Sequence, residues 1–333
     1  MIRRTKMIRR IRFDSYPEPL SAVCLGCGRL GGDYDEARSF ALLDRYYAMG
    51  GRFLDTANCY GRWCASGLNE SERCIGRWLK QRQVTDMVVT SKCCHYAFDA
   101  RDVSRVTRAC AMADLEESRR SLGLDTVPIY LTHRDNPSED IRVIVDFLAE
   151  MAASGKITRF GLSNYGADRV RAALDYLGDG WREVMVGVSN EWSLHEECLA
   201  ADAGGEIGAP DGMVRTGREL RRLHKEKNLP LFAFSSAAGG YYAKIGTSGD
   251  GTTLNDRRGN PVGTHDAEAF DALNALSDQS GVAPVPLSVA YLLNSGLPAV
   301  PIAAVSSAEQ MEDFEAISAW DADLSALSPL GKA

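Results

Sequence analysis

The sequence predicts an α/β protein built as a (β/α)8 barrel, the TIM-barrel architecture, in a single domain with long loops on the C-terminal face. Three observations predict it. Eight short β-rich runs recur along the chain, most of them continuously apolar, which marks strands buried on both faces as in a parallel sheet. Segments of helical periodicity separate them. No composition break or linker divides the 333 residues, a length that a closed barrel can span as one unit.

The runs are Leu20–Leu25, Arg52–Leu54, Met87–Thr90, Val127–Leu131, Thr158–Leu162, Val184–Val188, Leu231–Phe234 and Ala299–Ile302. Between them, Glu36–Met49, Asp102–Leu122 and Glu139–Ser154 read as helices. In the second, Val103, Val106, Cys110 and Ala113 form an apolar stripe at i, i+3, i+7 and i+10. Gly50-Gly51 and Gly155 stand where the flanking helices should stop. Ala201–Met213 and Gly239–Gly263 exceed a simple connection and read as functional loops. Residues 1–18 carry six basic side chains between Arg3 and Arg12; they read as an extension or a solvated hairpin, too polar for a signal peptide or a membrane span.

Composition removes several function classes. There are 38 Lys+Arg against 45 Asp+Glu, a net charge of −7, which argues against nucleic acid or an anionic membrane as partner. At 45% hydrophobic and 25% charged residues the chain is neither disordered nor a small disulfide scaffold. Nine cysteines, an odd number without a secretory signal, suggest a reducing cytoplasm. Cys24 and Cys27 form an unrepeated C-x-x-C. Cys27, Cys59, Cys93, Cys94 and His95 fall at strand ends, where thiols lining a barrel mouth are expected rather than zinc ligands; no metal is expected.

Gly26-Cys-Gly28-Arg-Leu-Gly31 matches the dinucleotide fingerprint, and Asp55 follows Gly31 by 24 residues. The polar loop Gly32-Asp-Tyr-Asp argues against that reading, since such a turn runs directly into its helix. A Tyr-x-x-x-Lys reductase is excluded, because none of the 12 tyrosines has Lys at the fourth position.

The strand ends carry the chemistry. The second run leads into Asp55-Thr-Ala-Asn-Cys-Tyr60, the third into Ser91-Lys92, the fourth into Thr132-His133. In a parallel barrel these ends share one face, so Asp55, Tyr60, Lys92 and His133 should converge. A phenol is a poor acid at neutral pH; the Lys92 ammonium should pull the Tyr60 pKa down toward working pH. Asp55 should keep Lys92 charged, and His133 can orient a substrate oxygen. Such a group protonates a carbonyl oxygen as hydride reaches its carbon, or the reverse.

With FLDTANCYG (53–61), VVTSK (88–92), LTHRDNP (131–137), GKITRFGLSNY (155–165) and FAFSSAAGG (232–240), the chain resembles the aldo-keto reductase superfamily over essentially its whole length. The resemblance implies a barrel that binds NADP(H) or NAD(H) across its C-terminal face, with Tyr60 as general acid. It implies Asp55 beside the nicotinamide, Ser163 and Asn164 on its carboxamide, Trp192 stacked on its ring, and Ser235, Ser236, Ala237 and Gly239 around the pyrophosphate. Two positions depart from the family pattern. Ser189 stands where Gln usually holds the carboxamide and is too short to do so directly. The segment Ile302–Phe314, which in the family often supplies Lys or Arg for the 2′-phosphate, has neither between Pro301 and Trp320. Ser306, Ser307, Gln310 and Asp313 remain as the adenosine-end candidates, and NADP(H) and NAD(H) stay open as alternatives.

The expected activity is reduction of an aldehyde or ketone, with a sugar or keto-sugar carbonyl ranked first. Tyr34, Trp63, Tyr96, His133 and Trp192, with the loops Ala201–Met213 and Tyr241–Asn260, are the expected pocket walls. A tight-cofactor epimerase or lyase and a non-catalytic nucleotide-sensing subunit are the alternatives. The expected partner is a small carbonyl or alcohol; the sequence says nothing of oligomeric state.

Overall fold

The computed structural model describes residues 7–205, 207–209, 212–248, 253–322 and 324–329. In chain order its strands are β1 (Arg10–Ile11), β2 (Leu20–Ser21), β3 (Cys24–Gly26), β4 (Phe53–Asp55), β5 (Val88–Cys93), β6 (Val127–Thr132), β7 (Ile157–Ser163), β8 (Met185–Ser189), β9 (Leu231–Ala233), β10 (Gly246–Thr247), β11 (Leu254–Asn255) and β12 (Ala299–Ala303). Eight of them close a parallel barrel in the order β12-β3-β4-β5-β6-β7-β8-β9, with helices between. The barrel excludes the Rossmann reading of the glycine motif. Gly31 has φ +69°, and a Cβ there would stand 2.6 Å from the Glu70 carbonyl oxygen; this glycine lets the first loop pass close under the helix Glu70–Arg82.

Each of the eight apolar runs supplies a barrel strand, with one division. Leu20–Leu25 is two strands: β2 pairs antiparallel with β1, and β3 enters the barrel beside β12. The turn between β1 and β2 is not solvated. Phe13, Tyr16 and Leu20 are buried together with Cys24, Phe53, Val88, Ile129, Leu131, Val186, Phe232, Val300 and Ile302, and the Ser15 hydroxyl donates to the Val186 carbonyl at 2.7 Å. Arg9, Arg10 and Arg12 flank an apolar plug that fills the barrel interior from below, and Arg3, Arg4 and Lys6 lie outside the described residues. Strand alternation sorts the rest: Ile129 and Leu131 face this inner cluster, while Tyr130, between them on the same strand, joins the cluster packed against the helices.

Helices form at Glu36–Ala48 and Ile141–Ala153, and Gly50 and Gly155 follow them at φ +82° and +72°. The expected stripe in 102–122 is wrong. That helix begins at Arg108, capped by the Thr107 hydroxyl, and buries Ala111, Asp114, Leu115, Ser118 and Leu122, while Val103 is 57% exposed. Residues 102–107 stay outside the helix, with Arg105 paired to Asp114 at 2.7 Å. Among the described residues no helix is long and apolar enough to cross a membrane.

The plug gives a test at the end opposite the site. Phe13→Ala should destabilise the protein by about 3 kcal/mol, the usual cost of emptying a buried aromatic position, read by chemical denaturation; an unchanged midpoint would show that the hairpin is not part of the core.

Candidate active site

Strand parity builds the site. Asp55 lies two residues beyond inward-facing Phe53, Lys92 four beyond Val88, and His133 two beyond Leu131, so all three continue the inner face above the apolar cluster. The Lys92 ammonium donates to both Asp55 carboxylate oxygens at 2.7 Å and to the Thr56 carbonyl at 2.8 Å. Its Nζ lies 5.1 Å from the centre of the Tyr60 ring, and that ring meets His133 edge-on at 5.7 Å. Asp55, Lys92 and His133 are buried; Tyr60 is partly open. All four line one cavity of about 580 Å³ at the C-terminal ends of the strands. The structure thus brings these four side chains to one cavity.

The electrostatics differ from expectation at one point. Burial pushes the Asp55 carboxyl upward, opposed by the Lys92 ammonium. For Lys92 burial acts downward, but Asp55 and then Tyr60 outweigh it and hold the ammonium above its usual value. Tyr60 is pushed up to about 12, chiefly by burial; Lys92 pulls it down, and Asp55 offsets part of that pull. The phenol is therefore not drawn toward neutrality: a charge already paired with a carboxylate exerts a weaker field on its neighbour. Burial first, then the Lys92 charge, lowers His133 well below its usual value, so its ring is neutral.

Among the expected cofactor residues, Ser163, Asn164, Ser235, Ser236, Ala237 and Gly239 line this cavity with Asp55. Asn164 sits at φ +64° and is largely satisfied within the protein. Its Nδ2 donates to the His133 carbonyl and the Ser163 hydroxyl, and its Oδ1 accepts from Val214. The loop after β9 turns left-handed at Ser235, Ala238, Gly239 and Gly240, the kind of backbone that forms anion-binding concavities. The Ser236 hydroxyl donates to the Ile302 carbonyl at 2.8 Å and ties that loop to β12. These features fit a dinucleotide's pyrophosphate.

Other expectations are corrected. Trp192 does not reach the tetrad cavity. It is 1% exposed, its indole N–H donates to Glu197 at 2.8 Å, and it borders a separate cavity of about 770 Å³ lined largely by residues 196–219. Ser189 is fully buried and outside the tetrad cavity's lining, its hydroxyl without a hydrogen-bond partner. A bulge between β7 and β8, at Phe160/Gly161, shifts register in the strand that leads to both residues, so uniform alternation misplaces them. Tyr34 is buried under the guanidinium of Arg38, at 3.8 Å, and is not a cavity wall. Ser306, Ser307, Gln310 and Asp313 also lie outside the lining. Ser306 and Gln310 bond to each other, Ser307 caps the helix Ala308–Met311, and burial raises the half-buried Asp313 carboxyl.

The loop 201–213 walls the second cavity, and the described residues of 241–260 line neither cavity. Met213 borders both cavities; Gly239 and Gly240 reach the tetrad. Residues 206, 210–211 and 249–252 of those loops lie outside the described residues. Trp63 and Tyr96 line the tetrad cavity, together with His95 and with Phe98, Arg29 and Arg134, which the sequence reading passed over. So was Arg38, whose Nη2 donates to the Ser306 carbonyl at 2.5 Å. Barrel closure was the signal available for it: the loop after the first barrel strand must lie beside the loop after the last.

Comparison with known proteins agrees with this geometry. The model of the aldo/keto reductase family matches residues 22–326. Norsolorinic acid reductase B of Aspergillus parasiticus is 23% identical over 317 residues, covering 89% of this chain and 76% of that protein. An uncharacterized oxidoreductase of Bacillus subtilis, YrpG, is 24% identical over 306 residues, covering 88% and 86%. Among solved structures, the thermostable aldo-keto reductase Tm1743, in complex with the inhibitor epalrestat, superposes with TM-score 0.71 at 19% identity over 97% of this chain and all of that one. The holo form of AKR11C1 from Bacillus halodurans gives 0.70 at 18% identity, covering 98% and 97%.

The ion pair supplies the test here. Asp55→Asn leaves Lys92 buried without its counter-charge and should cost about 3 kcal/mol, measured by urea denaturation at neutral pH; a loss under about 1 kcal/mol, the worth of a surface pair, would mean that the pair is solvated.

Proposed function

The chain belongs to the aldo/keto reductase family, and from that premise we propose that this NAD(P)H-dependent oxidoreductase reduces the carbonyl of an aldehyde or ketone, with Tyr60 as proton donor. One observation carries the reading: a protonated phenol stands beside a buried ammonium–carboxylate pair and a neutral imidazole, all opening on one cavity. The cofactor, when bound, supplies hydride to the carbonyl carbon. Tyr60 gives its hydroxyl proton to the carbonyl oxygen. The Lys92 ammonium stabilises the phenolate left behind, and Asp55 keeps that ammonium charged and fixed. His133, neutral, can donate a ring N–H to the same oxygen and orient it. Ser163 and the turns at Ser235–Gly239 would hold the nicotinamide and pyrophosphate ends. The rings of Trp63, Tyr96 and Phe98 under a rim of Arg29 and Arg134 favour a sugar-type carbonyl, whose apolar ring face stacks while its hydroxyls meet the rim. Nine unpaired thiols favour a reducing compartment such as the cytoplasm.

For the cofactor we propose NADPH. The segment after β12 has no cation of its own, but Arg38, in the first turn of the neighbouring helix, reaches its backbone at Ser306. The guanidinium is exposed, lies over the Tyr34 ring at 3.8 Å and, among the described residues, pairs with no carboxylate. A planar, preorganised guanidinium is the natural partner of a phosphate. Ser306 and Ser307 could add neutral donors.

Three experiments test these assignments. Tyr60→Phe should lower kcat by roughly 10²- to 10⁴-fold, the usual worth of a general acid, while fluorescence titration shows the reduced cofactor still bound. The donor must be protonated to act, so a phenol held at about 12 should leave wild-type reduction flat from neutral pH to about pH 10, falling only above; retained turnover in Tyr60→Phe would remove it from the role. Arg38→Ala should weaken NADPH binding by roughly 10- to 100-fold, the worth of one charged hydrogen bond, and leave NADH binding nearly unchanged. Equal losses for both would place the 2′-phosphate elsewhere.

A further inference from the structure

Two side chains in the wall of the tetrad cavity have no part in the chemistry above: Cys59, one residue before Tyr60, and His95, just beyond β5. With His133 they offer three ligand atoms that lie within 4.8 Å of one another, on residues that are all buried. We propose that Cys59, His95 and His133 form a three-ligand site for a thiophilic divalent cation of the zinc type, and that its occupation arrests carbonyl turnover by engaging His133.

The distances fit such an ion. Tetrahedral zinc with its usual Zn–S and Zn–N bonds needs sulfur and nitrogen about 3.6 Å apart, and Cys59 Sγ stands 3.5 Å from His133 Nδ1. His95 needs to close by about 1 Å to complete the triangle. Its ring is already oriented: Nδ1 lies 2.9 Å from the Tyr96 carbonyl oxygen. A carbonyl only accepts, so the neutral ring carries its proton on Nδ1 and keeps a bare lone pair on Nε2. A backbone carbonyl behind a histidine is the usual support of a metal-bound imidazole.

The two imidazoles suit the site as they stand, and the thiol must give up its proton to join them. Burial lowers His95 to about 4 and His133 well below its usual value, so both rings are free of competing protons at neutral pH. Burial pushes the Cys59 thiol up to about 12, so it is a thiol until an ion arrives. Binding then forms the metal–sulfur bond and releases the S–H proton to solvent; no electrons are transferred. Asp55 neutralises Lys92 and Asp114 pairs with Arg105; the Arg134 guanidinium, which acts on all three ligands, is the charge an ion must meet there. Cys59 and His95 border both the tetrad cavity and a neighbouring one of about 480 Å³, which gives a hydrated ion a way in and leaves a fourth position for water. Cys27, Cys93 and Cys94, the other thiols at the strand ends, are not members of the cluster.

The proposed inhibition rests on the reductase reading; the binding does not. The test uses Co²⁺ as the probe on the reduced, cofactor-free full chain. One Co²⁺ per chain should bind with thiolate-to-metal absorption in the near ultraviolet and the intense visible bands of a four-coordinate ion, and Zn²⁺ should displace it. Cys59→Ser and His95→Gln should each weaken binding by at least roughly tenfold; circular dichroism checks folding, and if the serine variant does not fold, the His95→Gln comparison decides. Zn²⁺ should lower wild-type kcat/KM at least roughly tenfold and change that of His95→Gln far less. Absence of the thiolate band in folded wild type, or equal bands in His95→Gln, would overturn the site and leave the carbonyl reductase reading standing. Cobalt bands with full turnover in saturating Zn²⁺ would overturn the inhibitory role.

Discussion

An ammonium ion stays in the mouth of a hydrophobic barrel only if a carboxylate stays with it. The Lys92–Asp55 pair meets that condition with three short hydrogen bonds, to two carboxylate oxygens and one backbone carbonyl, which occupy all three ammonium protons. Much follows from it. Asp55 must lie on the inner face of β4 and Lys92 on that of β5, which fixes the parity of both strands. Because the pair is nearly neutral as a unit, it does not strip the proton from Tyr60; it waits to stabilise the phenolate once the proton has gone. Burial first, and then the charge retained on Lys92, hold His133 neutral.

The strands and the tetrad were legible in the sequence for the same reason. Parallel barrel strands are buried on both faces, so they appear as short apolar runs, and the polar residue that interrupts each run at its end marks the functional rim. Asp55, Lys92 and His133 can be found by that rule, and Tyr60 by its place in the following loop. What failed was whatever depends on register or on packing between distant segments. The apolar stripe of 102–122 has helical spacing, yet Thr107 offers a cap and Arg105 a salt bridge, so the helix starts later and turns another face inward. The β1–β2 turn looks polar by composition, and only the three-dimensional barrel shows that its few apolar residues are the ones needed to fill the bottom.

Trp192 and Arg38 are opposite cases of one limitation. An aromatic residue shortly after β8 looks like a ring partner if alternation continues, but the register shift between β7 and β8 turns it into a second cavity, where Glu197 takes its N–H. Arg38 looks like an ordinary helix-surface cation, yet closure of β12 onto β3 brings it against Ser306, more than 260 residues away in sequence. Single-segment reading judges the cation content of 301–320 and finds none. The barrel assembles its rim from both ends of the chain, so that local absence does not decide the charge of the site.

Backbone strain gathers at the C-terminal face of the barrel. Among the described residues six non-glycines have positive φ: Gln83 and Asn228 close helices, and the other four, Cys94, Asn164, Ser235 and Ala238, follow barrel strands at the C-terminal face. Such conformations cost of order 1–3 kcal/mol each and persist only where the surroundings enforce them. Asn164 shows the enforcement. Its backbone N–H is held by Asn190 and Ser189, and its side chain by the His133 carbonyl and the Val214 N–H. A residue expected to hold a cofactor amide is thus first a clamp joining the ends of three strands and a long loop. Its side-chain amide fixes the backbone of His133, so the geometry at the reacting oxygen depends on the same hydrogen bonds that hold the strained turn.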